Sequence, residues 1–198
     1  AGKGAFEKRI SDVLVSGRAA VEILPRPRAL GDRSLSPVEV DVSRISKILS
    51  SSLEREAQDI LLRGCNAGGT HGYPIVDVKV SVLDFRHNDP PDLSVPLLGT
   101  LTLALREAIA QVQTIVLEPV MTLEVRVPDE FLGAIMKDLG ARRAEIRETE
   151  MVDGVSLIRG LVPLAEMFGY STQMRSLTQG RGSFSLEPYD YQPAKSWV

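Results

Sequence analysis

Alternation of apolar and polar residues is clearest in the second half of the chain. Met121, Leu123, Val125 and Val127 alternate with Thr122, Glu124 and Arg126, the pattern of a strand with one buried face. Pro128 ends that strand. In "PDEFLGAIMKDLG", Phe131, Ile135, Met136 and Leu139 fall at helical spacing, with Asp129 and Glu130 in the first turn and Gly140 placed as a C-cap. "RRAEIRETEM" and "GVSLIRGLV" read as two strands joined at Asp153-Gly154, a pair suited to a hairpin whose central residues need positive φ. The charge on the first of them suits a sheet edge. After Pro163 come a helical segment and then "RGSFSLEPY", in which Phe184 and Leu186 alternate with Ser183, Ser185 and Glu187. The order β-α-β-β-α-β is the ferredoxin-like arrangement, with the strands near 121 and 155 at the centre.

The first half is less regular. "SGRAAVEILPRP" and "VEVDV" each hold a strand, and "LEREAQDILLRG" is an amphipathic helix with Leu53, Ala57, Ile60 and Leu61 on one stripe and Gly64 past its end. "NAGGTHGYP" is a loop. "IVDVKVSVLDF" is a strand with Val76, Val78, Val80 and Val82 on one face, "RHNDPPD" a polar tip, and "LLGTLTLALREAIAQV" an apolar, buried helix. These elements make a small α/β module. The junction falls near Gln113–Leu117 with no flexible spacer, which predicts a fixed or narrowly hinged pair of modules. The fold class expected is therefore α+β in two domains, 1–115 and 116–198.

Composition narrows the chemistry. The 198 residues carry a net charge of −3, and no apolar run reaches the length of a membrane helix. Residues 1–115 hold 14 Lys/Arg against 14 Asp/Glu, and the remainder 9 against 12. Any RNA contact must then come from local patches such as Arg26, Arg28 and Arg33, for which a solvated loop is the competing reading. One cysteine, Cys65, excludes an internal disulfide and fits a reducing compartment; with no histidine partner it reads as incidental. One cysteine and two histidines cannot supply a zinc site. No phosphate-binding Gly-x-x-x-x-Gly-Lys-[Ser/Thr] occurs, and Gly2-Lys3-Gly4 reads as an unstructured end. His71 reads as structural, and His87 as a solvated tip histidine or one touching RNA. Glu148 and Glu150 share one side of an exposed strand, where they would repel.

The Gly180-Arg181-Gly182 turn follows a helix, so the carbonyl-rich end of that helix faces it and repels phosphate. Gly180 reads as the left-handed cap, Gly182 as the tight turn into the strand, and Arg181 as a counter-charge to the helix end or an outward-pointing side chain.

"HGYPIVDVKV", "LALREA", "VLEPVMTLEV", "PDEFLGAIMKDLGARRAEI" and "VPLAEMFGYSTQMRSLTQGRGSFSLE" together resemble the last two domains of translation elongation factor G, from about Ser52 to Tyr191. "GKGAFEKR" is a weaker anchor, matching the family's Gly-x-Gly opening. The resemblance implies that 1–115 is domain IV, with a ribosomal protein S5-like fold that reaches the decoding region. It implies that 116–198 is domain V, ferredoxin-like, near the base of the ribosomal stalk. GTP and magnesium would bind a G domain outside this stretch, and the chain itself would be no enzyme. Two tip loops depart from the family. Asn88-Asp89-Pro90-Pro91-Asp92-Leu93 stand where it has His-Asp-Val-Asp-Ser-Ser, with His87 one position off the tip histidine. "SRISKILSS" replaces a Gly-Gly-Val-Ile-Pro segment and brings Arg44 and Lys47. Arg44, Lys47, Arg86, His87, Asn88 and Asp89 are the expected contacts to RNA or to recycling factor. The departures resemble the mitochondrial paralogue that splits ribosomes with recycling factor; a translocase is the alternative. A monomer in the mitochondrial matrix is expected, or a cytoplasmic one if the source is bacterial. A stand-alone RNA-recognition module is disfavoured, because the central strands lack the aromatics such modules stack on bases.

Overall fold

The computed structural model describes residues 1–10, 13–28, 33–69 and 71–194. The chain divides into two compact units, Ala1–Thr114 and Ile115–Val198, each with its own sheet and core. The class is α+β, as the pattern predicts.

In the first unit β1 (Gly2–Ile10), β2 (Val13–Pro25), β3 (Glu39–Asp41) and β4 (Val78–His87) form one sheet in the order β1-β2-β4-β3. β1-β2 and β2-β4 are antiparallel, and β3 runs parallel to β4. Helices α1 (Ser51–Asn66) and α2 (Ser94–Gln111) complete a core of Val21, Ile45, Leu61, Val80, Leu97 and Leu101 among others. The Ser50 hydroxyl caps α1 by accepting from the Leu53 amide.

Gly2 and Gly4 belong to β1 and are buried, which corrects the expectation of an unstructured end. A Cβ on Gly2 would lie 2.2 Å from the Ala104 carbonyl oxygen, and one on Gly4 2.2 Å from that of Thr100. β1 therefore meets α2 backbone to backbone. Farther along the same strand, the Phe6 ring occupies the space that a side chain at position 99 would need. Gly64, expected past the end of α1, lies inside the helix. Its missing Cβ leaves room for Leu105 of α2, whose Cδ2 would be 2.4 Å away. The face expected on β4 also changes. Leu83 is an extra residue opposite β2, so Val80, Val82 and Phe85 are the buried set, while Val76 precedes the strand.

Cys65 is fully buried in this core, and burial pushes its thiol up to about 11, so it is inert packing. Asp77 accepts from the Ser36 amide and pairs with Arg28 at 3.0 Å, and Arg26 reaches Glu39. Arg26 and Arg28 are thus engaged internally, and residues 29–32 of "RPRALGDR" lie outside the described residues.

The second unit is ferredoxin-like. β5 (Leu117–Pro128), α3 (Leu132–Ala141), β6 (Glu145–Val152), β7 (Val155–Pro163), α4 (Tyr170–Thr178) and β8 (Ser183–Pro193) follow in order. The all-antiparallel sheet reads β6-β7-β5-β8, with the charged β6 at an edge as expected. Asp153 and Gly154 both have positive φ, as the hairpin requires. Glu148 and Glu150 do not stand in mutual repulsion: Arg159 lies 3.0 and 3.7 Å from them and also meets Glu124. Gly140 lies inside α3 rather than capping it, and Arg143 takes the left-handed position at φ 59°. Its guanidinium holds Glu118 with two bonds and Glu166 with a third.

At the second helix, Gln179 and Gly180 are both left-handed, and the Gly180 amide donates to the Arg175 carbonyl. The Thr178 hydroxyl donates to the Met174 carbonyl and accepts from the Gly182 amide. Arg181 bridges to Glu130 at 2.6 Å and lies over the Phe131 ring, tying the turn to the entry of α3. The turn is a structural corner and leaves no amide cradle for an anion.

Tyr170 is fully buried beneath Arg142 and edge-on to Phe184, and its hydroxyl has no hydrogen-bond partner. Burial, with a contribution from Asp138, pushes its phenol up to about 12. The unfolded chain ionises near pH 10, so native stability falls as pH rises from about 10 towards 12, by about 2–3 kcal/mol in all. Tyr170→Phe should flatten this alkaline limb in pH-dependent urea unfolding. At neutral pH it should change stability by less than about 1 kcal/mol, since the hydroxyl it removes is unpaired. Gly4→Ala, by contrast, should destabilise the first unit by about 3 kcal/mol at any pH, read as a lower urea midpoint.

Candidate nucleic-acid interface

β2 and β4 alternate between two faces. Val15, Gly17, Ala19 and Val21 point to the helices, which sends Arg18 to the open face. The register sets Arg18 directly opposite Arg86. Two cations on neighbouring strands in this register repel each other. Arg86 is largely exposed and is steadied by Asp84 at 2.8 Å. Among the described residues Arg18 has no carboxylate partner. Together they border a shallow hollow of about 340 Å³ whose wall also includes Glu7, Ser16 and Asn88.

Asn88 is the clasp of this end of the sheet. Its side-chain oxygen accepts from the Ser16 amide at 3.0 Å, and its amide nitrogen donates to the Leu14 carbonyl at 2.6 Å. The β1-β2 hairpin continues past β4, carrying Lys8, Arg9 and the half-exposed Val13 and Leu14 beyond it. His87 is tucked in, its side chain 16% exposed and its ring tilted against that of Phe85 at 5.5 Å between centroids. Nδ1 accepts from the Asp89 amide, which leaves Nε2 as the edge available for contact. Asp89 sits at φ 48°, the bend that brings its amide back to His87.

Arg44 and Lys47 occupy a different edge. After β3 the chain winds through tight turns, the Ile45 amide donating to the Val42 carbonyl and the Ile48 amide to that of Ile45. Ile45 and Leu49 anchor this segment in the core, so Arg44 and Lys47 are left pointing outward. Among the described residues no hydrogen bond or ion pair links them to Arg86–Asp89. The six expected residues thus fall into two groups, one at the C-terminal end of β4 and one in the turns after β3, and Asn88 works mainly as a strut. His71 is exposed in a turn.

Arg18 is the functional candidate that the hydrophobic pattern does not reveal. Alternation through "VLVSGRAAVEI" carries the signal for its face, but only the register with β4 shows that Arg18 meets Arg86. The chemistry available here is charge and hydrogen bonding towards a polyanion: guanidinium groups suited to phosphates, an imidazole edge and no buried nucleophile.

Asn88→Ala should lower the stability of the first unit by about 1 kcal/mol through removal of the clasp, read as a lower urea midpoint. Arg86→Ala, which removes an exposed side chain, should leave that midpoint unchanged.

Residues 115–198 match the family model described as "Elongation factor G C-terminus". The chain also superposes on a crystal structure of a protein from Thermus thermophilus with a TM-score of 0.77 and 23% identity. That match covers 98% of this chain and 28% of the other, so the chain spans little more than a quarter of that protein's length. At this identity the likeness is one of fold. The family likeness is thus carried by the second unit, residues 115–198, and the likeness of the first unit is one of fold.

Proposed function

We propose that the chain is the ribosome-binding arm of an elongation-factor-G-like GTPase. In this reading the second unit docks at the base of the stalk, and the first presents its Arg18–Arg86 end to ribosomal RNA near the decoding region. The observation that carries it is the facing Arg18–Arg86 pair on an open sheet, in the same chain as a match to the elongation factor G C-terminus. The chain hydrolyses nothing itself; GTP and magnesium belong to a G domain elsewhere in the factor. Loop chemistry favours recycling over translocation. The 43–49 turns, held by Ile45 and Leu49 and displaying Arg44 and Lys47, form a compact basic knob, and Asn88 and Asp89 are engaged in shaping their own loop. Such surfaces suit docking against ribosomal RNA and a recycling factor, in the mitochondrial matrix.

The test uses the factor that carries this chain, with Arg18, Arg44, Lys47 and Arg86 all changed to alanine. Ribosome association should weaken, and its dependence on log salt should flatten by roughly 0.7 for each phosphate no longer neutralised. Unchanged affinity and slope would remove the tip from the interface. In a reconstituted system the unmodified factor should release subunits with recycling factor and fail to support polypeptide synthesis; sustained synthesis would make it a translocase.

A further inference from the structure

The outer surface of the first unit's helical layer carries a cavity unrelated to the cationic end. It lies between α1 and α2 and measures about 580 Å³, a size typical of pockets that enclose a ligand or an anchoring side-chain cluster. On α1 its wall is Ile60, Arg63 and Gly64, with Ala67 capping the helix, at spacings i, i+3, i+4 and i+7. On α2 it is Leu98, Thr102, Leu105, Arg106 and Ile109, again one stripe of the helix, and the lining stops at Ala110. Two parallel stripes at helical spacing outline a trough. From Leu98 to Ala110 it runs about 18 Å at the rise of an α-helix, or roughly three turns.

Three features define what fits. The floor is apolar, with Leu105 and Ile60 beneath and Leu98 half exposed at the mouth. Ala67 at the rim is small and exposed, whereas the space at Gly64 is taken by Leu105 and that at Gly69 by Ile109. Among the described residues, the charged ones in the wall are Arg63 and Arg106, with no carboxylate beside them. Arg63 has a loose, solvent-exposed partner in Asp59 at 3.2 Å, and Arg106 has none among the described residues. An exposed pair of that kind contributes little and exchanges readily for a better one.

We infer that this trough receives an amphipathic helix of about three turns from a partner protein, with aliphatic anchors on one face and acidic residues flanking them to meet Arg63 and Arg106. Length favours a helix over a compact ligand, and the two arginines select acidic flanks.

Fluorescence anisotropy with a labelled peptide of roughly four turns tests this on the whole chain. The peptide has leucines at i, i+3, i+4 and i+7 and glutamates beside them; a second peptide carries lysines in place of the glutamates. The glutamate peptide should bind about tenfold tighter than the lysine peptide, with that preference reversed in Arg63→Glu/Arg106→Glu. Thr102 is exposed at the trough, so Thr102→Trp should fill it and abolish binding while the urea midpoint stays in place. No binding, equal binding of the two peptides, or binding that survives Thr102→Trp would overturn the inference. So would displacement of the peptide by a long-chain carboxylate. A concentration-dependent dimer by sedimentation, abolished by Thr102→Trp, would overturn it by assigning the trough to a second copy.

Discussion

Backbone-to-backbone contact between β1 and α2 is the constraint on which the first unit rests. Gly2 and Gly4 face the carbonyls of Ala104 and Thr100 with no room for a methyl group, and Gly17 and Ala19 continue the small-residue surface on β2. Close approach has two consequences. It seals one face of the sheet so completely that every charged side chain on β2 must emerge on the other. It also sets α2 low on the sheet, where Gly64 admits Leu105 and the trough between the helices opens outward. The cationic end and the apolar trough are therefore products of one packing decision, displayed on opposite sides of the same layer.

The second unit is held by polar cross-links where the first relies on small residues. Arg143 joins the start of β5 to the turn before α4, and Arg142 lies over Tyr170 while pairing with Asp138. These half-buried pairs fix geometry more than they add stability, because desolvating them offsets much of their attraction. Arg147 and Tyr189, the extra residues at bulges in β6 and β8, meet as a cation and a ring 5.4 Å apart. These contacts cross-link the sheet at both edges and at the helix entries.

The ferredoxin-like unit is legible in the sequence because its information is local: alternation in β5, helical spacing in α3, Asp153-Gly154 at the turn, and a charged edge strand. The first unit is less so, because its decisive features are contacts between residues distant in sequence. A glycine in a helix pattern resembles a cap until the neighbouring helix is known, which is why the pattern misplaces Gly64. Gly140 is misplaced for another reason: Arg143, a residue with no intrinsic preference for positive φ, is held there by Glu118 and Glu166. Leu83 shifts the buried frame of β4 by one residue, and no local pattern marks a bulge. The candidate site is half legible. Arg86 and Asn88 lie in the polar tip, whereas Arg18 sits in an unremarkable strand until its partner strand is set beside it.

That pairing bears on how a chain of net charge −3 can engage RNA at all. Such a chain has no overall positive field to draw a polyanion from a distance, and screening confines each guanidinium to a reach of about 8 Å in physiological salt. Contact through Arg18 and Arg86 then acts only once the sheet end is already beside a phosphate. Their mutual repulsion raises the free energy of the unbound end, and an anion between them relieves it, so the preference is local and short-ranged. In the proposed role the encounter is supplied elsewhere: a docked C-terminal domain raises the effective concentration of the first unit near its target without any new contact. The division of labour follows from charge. In that proposed role one unit would supply residence and the other position, so that a neutral module could still meet a charged surface.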